Sequence, residues 1–249
     1  MDLGLKGRSA LVCGASQGLG LACAQALAAE GARVAVVARR KEKVEEVAAA
    51  LAKAHGVETF ALAADLVEEG ACERVVREAE ARFGGLDVLV ANAGGPPTGA
   101  VDELDDATWR KAFELTFLTT VRLARAAAHG MAARKWGRIV VIGSGSMVAP
   151  IPNLATSSGL RPGLVGVVKL LAERFARDGV TVNIAAPGYV RTERLAEVGA
   201  PASITESIPM GRLGEPEELG ALVAFLASTH AAYITGQTVL LDGGRNRGL

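Results

Sequence analysis

An α/β fold built on a parallel sheet is what this sequence predicts, and three observations carry it. Short β-branched runs alternate with longer helical patterns along all 249 residues, the signature of repeated strand–helix–strand units. The first apolar run ends in Gly14-Ala15-Ser16-Gln17-Gly18-Leu19-Gly20 and passes straight into an amphipathic helix. No linker rich in proline, serine or charge interrupts the alternation, so residues 1–249 read as one domain.

Taken in order, strands are expected near 9–13, 33–38, 58–63, 87–91, 138–143, 180–185 and 237–241. Helices are expected near 18–30, 41–54, 68–83, 105–134, 157–178 and 216–228. At the first strand–helix junction Gly14 allows a tight turn. The missing side chains let backbone N–H groups approach a pyrophosphate, and the new helix points its positive end there. The spacing is G-x-x-x-G-x-G, which differs from the usual G-x-G-x-x-G fingerprint, so a turn in another kind of α/β protein is the alternative.

The second strand, Arg33 to Ala38, runs into Arg39-Arg40-Lys41. A site that prefers NAD places a carboxylate near this strand end for the ribose 2′-hydroxyl. Ala38 and two guanidinium groups stand there instead, and forked, charged donors suit a 2′-phosphate. NADP(H) is therefore expected ahead of NAD(H); a basic, solvated helix start is the alternative. After the third strand, Asp65-Leu66 offers a carboxylate to an adenine amino group or a cap to the next helix. After the fourth, Asn92-Ala93-Gly94 fits a close backbone approach at the carboxyl end of the sheet, where open α/β sheets bind ligands. Gly94-Gly95-Pro96-Pro97 then loops over that crevice.

The connection between Gly188 and Glu215 is long enough to be a substrate loop, near 189–215. Its Leu195, Val198, Ile204 and Ile208 suit an apolar substrate or merely the packing of a short helix. Its Arg191, Arg194 and Arg212 suit an acidic substrate.

Composition narrows the class. Lys+Arg and Asp+Glu balance at 27 each and half the residues are hydrophobic, which argues against disorder and against a nucleic-acid surface. The three cysteines have no metal-ligand spacing, and Cys13 and Cys23 fall on apolar element faces, so they read as core. The uncharged run from Ile139 to Leu160 contains Gly, Ser, Asn153 and two prolines, which suits strand plus loop and not a membrane helix. The first residues lack a signal-peptide pattern, so a cytoplasmic location is expected.

Six motifs occur in register: Gly14-x-x-x-Gly18-x-Gly20, Asp65-Leu66, Asn92-Ala93-Gly94, Gly143-Ser144, Pro187-Gly188-Tyr189-Val190-Arg191-Thr192 and Gly236-Gln237-x-x-x-x-Asp242-Gly243-Gly244. Together they resemble the short-chain dehydrogenase/reductase family, especially its 3-oxoacyl-carrier-protein-reductase-like members. The resemblance implies a doubly wound, seven-stranded parallel sheet of Rossmann type with helices on both faces, usually assembled as a homotetramer. It also implies cofactor roles. Gly14, Ser16, Gln17, Gly18, Leu19 and Gly20 would surround the pyrophosphate and adenosine ribose, and Arg39 and Arg40 would meet the 2′-phosphate. Asp65 and Leu66 would flank adenine, Asn92, Ala93 and Gly94 would line the middle of the cofactor, and Pro187, Gly188, Val190 and Thr192 would hold the nicotinamide.

The chemistry of that family rests on Asn, Ser, Tyr and Lys, the last two spaced Tyr-x-x-x-Lys. Ser144 keeps the serine, but counting on without a gap puts Ser157 at the tyrosine place and Arg161 at the lysine place. The asparagine place, seven residues after Trp109, is Thr116. No shift of frame recovers the motif, because the only tyrosines are Tyr189 and Tyr233. A phenol of pKa ~10 is tunable by a neighbouring cation, whereas a serine hydroxyl is a far weaker acid and arginine keeps its proton. Loss of a general acid or base costs ~10²–10⁴ in rate.

Two functions fit. In the first the chain is an oxidoreductase on a small carbonyl or alcohol with a rebuilt site: Ser144 would donate to the substrate carbonyl, Ser157 would extend that network through a water and Arg161 would supply fixed charge. Arg161 would alternatively grip the cofactor ribose or clamp a substrate carboxylate. In the other reading the chain binds dinucleotide with little or no turnover, as a sensor or assembly protein. Against both stands a plainer assignment, Ser157 as a helix cap and Arg161 as a surface cation.

Overall fold

The computed structural model describes residues 1–197 and 202–248. Its strands are β1 (Ser9–Cys13), β2 (Arg33–Ala38), β3 (Thr59–Ala63), β4 (Val88–Ala91), β5 (Gly137–Ile142), β6 (Val180–Pro187) and β7 (Thr238–Leu241). Its α-helices are α1 (Gly18–Ala29), α2 (Lys41–His55), α3 (Ala71–Phe83), α4 (Asp106–Phe113), α5 (Thr119–Ala133), α6 (Ala155–Leu160), α7 (Gly163–Phe175), α8 (Glu193–Glu197) and α9 (Pro216–Ala227). The strands form one seven-stranded sheet in the order β3-β2-β1-β4-β5-β6-β7, every pairing parallel.

Strand alternation splits the core into two layers. Leu11, Cys13 and Leu89 point to one face, against Val75 and Val76 of α3, Leu123 and Ala127 of α5 and Val168 of α7. Ala10, Val12 and Val90 point to the other, against Cys23 and Leu27 of α1, Val44 of α2 and Val223 of α9. Strands covered on both faces have no solvent side, which is why β1, β4, β5 and β6 are buried throughout. Each fully buried leucine, Leu27 or Leu89 for example, contributes about 2–3 kcal/mol of burial.

Two helices expected to be continuous are broken. The pattern over 105–134 divides into α4, a π-helical turn at Glu114–Leu118 and α5. Within that turn the Thr119 hydroxyl donates to Glu114 O at 2.9 Å, holding the wider loop of backbone. The pattern over 157–178 divides at Pro162, whose missing N–H breaks the ladder; Leu164 and Val165 donate instead three residues back, to Arg161 O and Pro162 O. The helix expected from residue 68 begins at Ala71, after Gly70 at φ +72°.

All three cysteines are buried and unbridged. Burial pushes the thiols up, Cys23 to about 12 and Cys72 to about 11, so they are inert core residues. Among the described residues no helix is long and apolar enough to cross a membrane, and no group of acidic, His and Cys side chains could hold a metal.

Candidate active site

The order of strands reverses between β1 and β4, and in open sheets of this kind the ligand crevice lies outside the carboxyl ends of the strands at that point. Asn92, just past β4, donates from Nδ2 to Cys13 O at 3.1 Å and fixes the start of the glycine turn. Gly14 and Gly18 take φ +61° and +56°, which other residues rarely adopt. Gly20 is required by space: a Cβ there would stand 2.2 Å from Gly14 O. The N-terminus of α1 has no side-chain cap and no acid in its first turn, so its backbone donors and positive end suit an anion. Ser16 and Leu19 are half-buried beside it. Thr192 closes the turn from the other side, its methyl 3.7 Å from the Cβ position of Gly18.

Arg39 and Arg40 stand exposed where β2 ends. Arg40 Nη2 donates to Gln17 Oε1 at 3.0 Å, linking the basic pair to the glycine turn. Asp65 does not cap the following helix: its carboxylate accepts from the Val67 N–H at 3.3 Å, and α3 starts only after Gly70. Leu66 O accepts from the Cys72 thiol and the Thr119 hydroxyl. Beyond β4, Ala93 is half-buried and Gly94 exposed, with no atom within 4 Å of its Cβ position. Across the crevice Pro187 ends β6, Gly188 is pressed against Asp242, and Val190 is bridged to Gly214. The predicted binding residues thus gather at one end of the sheet.

Ser144 follows β5 at the same, carboxyl end of the sheet. Its Oγ accepts from the Ser146 N–H at 3.2 Å and from the Ser146 hydroxyl at 2.9 Å. Ser146 Oγ in turn lies 2.9 Å from Ser157 Oγ. Because the Ser146 proton is committed to Ser144, Ser157 is the donor to Ser146. The Ser144 proton is then left for whatever enters the crevice. Ser157 is no helix cap, since it lies inside α6 and only 4 % of it is exposed.

Arg161 is no surface cation either, with 7 % of its surface exposed. Its Nη1 donates to Ile142 O at 2.9 Å and to Gly143 O at 3.1 Å, and its Nε is buried without a partner. Burial first, and then the Arg194 guanidinium, push its pKa down to about 10. That remains far above neutrality, so the charge stays. Thr116 sits in the π-helical turn and spends its hydroxyl on Ala112 O at 2.7 Å, leaving no donor for the crevice.

The loop over 189–215 is divided in its use. Arg194 of α8 donates from Nη2 to Pro96 O at 2.5 Å and from Nη1 to Glu197 at 3.0 Å, and so reaches the loop after β4. Arg191 is paired with Glu215 at 3.0 Å and Arg212 with Glu218 at 2.7 Å, both in exposed ion pairs. Ile208 is buried against Gly243 and cannot cover a ligand, whereas Leu195 and Ile204 are half-buried. Val198 lies outside the described residues. Sequence reasoning missed Ser146; its signal was the repeated Gly-Ser of Gly143-Ser144-Gly145-Ser146.

A family model described as Enoyl-(Acyl carrier protein) reductase matches residues 14–246. The chain is 36 % identical over 246 residues to the 3-oxoacyl-[acyl-carrier-protein] reductase FabG of Escherichia coli, covering 97 % of this chain and 98 % of that one. Among solved structures, L-sorbose reductase from Gluconobacter frateurii, complexed with NADPH and L-sorbose, superposes with TM-score 0.94 at 33 % identity over 100 % of both chains. A 3-oxoacyl (acyl-carrier-protein) reductase from Agrobacterium tumefaciens with NADP bound gives TM-score 0.90 at 33 % identity, covering 97 % of this chain and 95 % of that one.

Proposed function

Because the chain belongs to the short-chain dehydrogenase/reductase family, we propose that it is an NADP(H)-dependent oxidoreductase acting on a small carbonyl or alcohol through a rebuilt site. The observation that carries this reading is the Ser144–Ser146–Ser157 hydroxyl chain, which leaves the Ser144 proton uncommitted. The glycine turn, with no room for a side chain at Gly20, is the cradle a diphosphate needs. Arg39 and Arg40 would hold the 2′-phosphate, Asp65 and Leu66 the adenine, and Asn92, Ala93 and Gly94 the middle of the dinucleotide. Pro187, Gly188, Val190 and Thr192 would hold the nicotinamide end. The solved relatives named above that carry NADPH or NADP support the choice of phosphate form.

When bound, the nicotinamide supplies or accepts a hydride. The protein's task is the proton. Ser144 donates to the substrate oxygen as negative charge develops there, Ser146 reprotonates Ser144 and Ser157 reprotonates Ser146. Once product leaves, water at the Ser144 end returns one proton back along the chain to Ser157. Arg161, fixed beneath the chain by two backbone carbonyls, stabilises that developing charge without giving up its own proton.

One observation favours a second reading, nucleotide binding with little turnover. Ser157 and Arg161 are both bonded inward, Ser157 to Ser146 and Arg161 to main-chain oxygens. Calorimetric titration with NADPH and NADH, followed by a panel of carbonyl compounds monitored at the nicotinamide absorbance, separates the two. The oxidoreductase reading expects tighter binding of NADPH and its consumption with at least one compound. Binding without consumption supports the sensor or assembly reading, and no binding contradicts both.

A homo-oligomer, a tetramer by family resemblance, and a cytoplasmic location complete the proposal. Leu170 on α7, 68 % exposed, offers an apolar contact to a second copy. Sedimentation velocity tests the assembly state.

A further inference from the structure

The fold buries two arginines, and they are treated differently. Arg138 donates to Ser228 O, Gly137 O and Gly179 O, and stacks 4.4 Å from the centre of the Trp136 ring. Carbonyl dipoles and a ring face compensate its charge. Arg161 has two carbonyls, no ring and an Nε–H with no acceptor. Among the described residues no carboxylate lies within ion-pair distance of it. A buried charge lacking a counter-ion is costly, and a donor buried without an acceptor adds to that. An anion seated beside the guanidinium would supply the missing counter-charge.

Location says what kind of anion. Gly143 O, which Arg161 reaches at 3.1 Å, is one peptide away from Ser144. Arg161 is thus tied to the strand end that carries Ser144. A planar guanidinium also matches a planar carboxylate through paired donors. Arg194, anchored on Pro96 O, is a second cation near enough to act on Arg161.

We infer that the substrate is a short oxo acid, or the corresponding hydroxy acid, with its carboxylate on Arg161 one or two bonds from the carbon that Ser144 serves. The inference rests on the oxidoreductase reading above. Reduction of the keto group takes one hydride from the cofactor, which is oxidised, and one proton through Ser144. The carboxylate is unchanged.

The test is calorimetric titration of the full chain, with and without NADPH, using oxamate as an unreactive oxo-acid mimic and methyl oxamate as its neutral counterpart. Oxamate should bind about 30-fold or more tightly than the ester. Arg161→Met should remove that preference while NADPH affinity stays within roughly threefold, and Arg194→Gln should weaken oxamate alone. Should Arg161→Met fail to fold, Arg161→Lys keeps the charge but loses the fork, and should still bind oxamate about tenfold more weakly. Equal binding of acid and ester overturns the inference. So does an Arg161 variant that loses NADPH but keeps oxamate, because Arg161 then serves the cofactor. Reduction of neutral ketones without oxamate binding removes this inference and keeps the oxidoreductase reading. Oxamate binding without turnover of any oxo acid does the reverse.

Discussion

Ser157 Oγ lies 2.9 Å from Ser146 Oγ, at the buried end of a hydroxyl chain whose open end is Ser144. The residue at the family's tyrosine place is thus buried, and in the proposed mechanism it acts through its neighbours. Ser146 is the link on which the account depends. Ser146→Ala should lower turnover by about tenfold or more with NADPH affinity unchanged. Its cost in stability should be about 1 kcal/mol, read by urea unfolding, because one buried hydroxyl and its bonds are lost. A variant as active as the parent would show that protons travel another way.

Arg39→Ala tests the nucleotide preference. Removing a charged donor from a phosphate should raise the Kd for NADPH about tenfold and leave NADH unaffected. Equal losses for both nucleotides would place Arg39 away from the 2′-phosphate.

Gly20→Ala tests the turn. The added Cβ would stand 2.2 Å from Gly14 O and 2.8 Å from Asn92 Nδ2, so the turn must open. A stability loss of about 1–3 kcal/mol and loss of nucleotide binding are expected, measured by denaturant unfolding and calorimetry. Unchanged nucleotide affinity would contradict the assignment of this turn to the diphosphate.

What the sequence made legible follows from burial. β1, β4, β5 and β6 are covered on both faces, so they appear as uninterrupted apolar runs, and the seven strands fall close to where the pattern puts them. Glycines such as Gly14 and Gly20 are legible because backbone geometry there excludes other residues. Helix interruptions were not. The apolar period runs through Pro162 on both sides, and the π-helical turn at 114–118 is held by a threonine hydroxyl that no periodicity records. Arg161 was the hardest, since a charged side chain at a helix end normally lies on the surface, whereas this one turns inward to Ile142 O and Gly143 O at the end of β5. Of the two roles open to Asp65, the helix cap fails because Gly70 delays α3 to Ala71.

Acid stability should depend on Glu218. The bond from Arg212 first, and then the Glu215 N–H at 2.8 Å, hold its carboxyl at about 2, below the ordinary 4.5. A folded pKa below the unfolded one gives stability that is present above pH 4.5 and lost as pH falls towards 2. Glu218→Gln should therefore lower Tm at neutral pH, with the gap from the parent closing across that window. A gap independent of pH would show that the carboxylate's charge contributes nothing.

The most direct test of the central claim is single-turnover oxidation of bound NADPH by Ser144→Ala and by the parent, on the same oxo-acid substrate. If the serine chain delivers the proton, the rate falls by ~10²–10⁴ while NADPH affinity is unchanged. A variant that oxidises NADPH at the parent's rate contradicts the account.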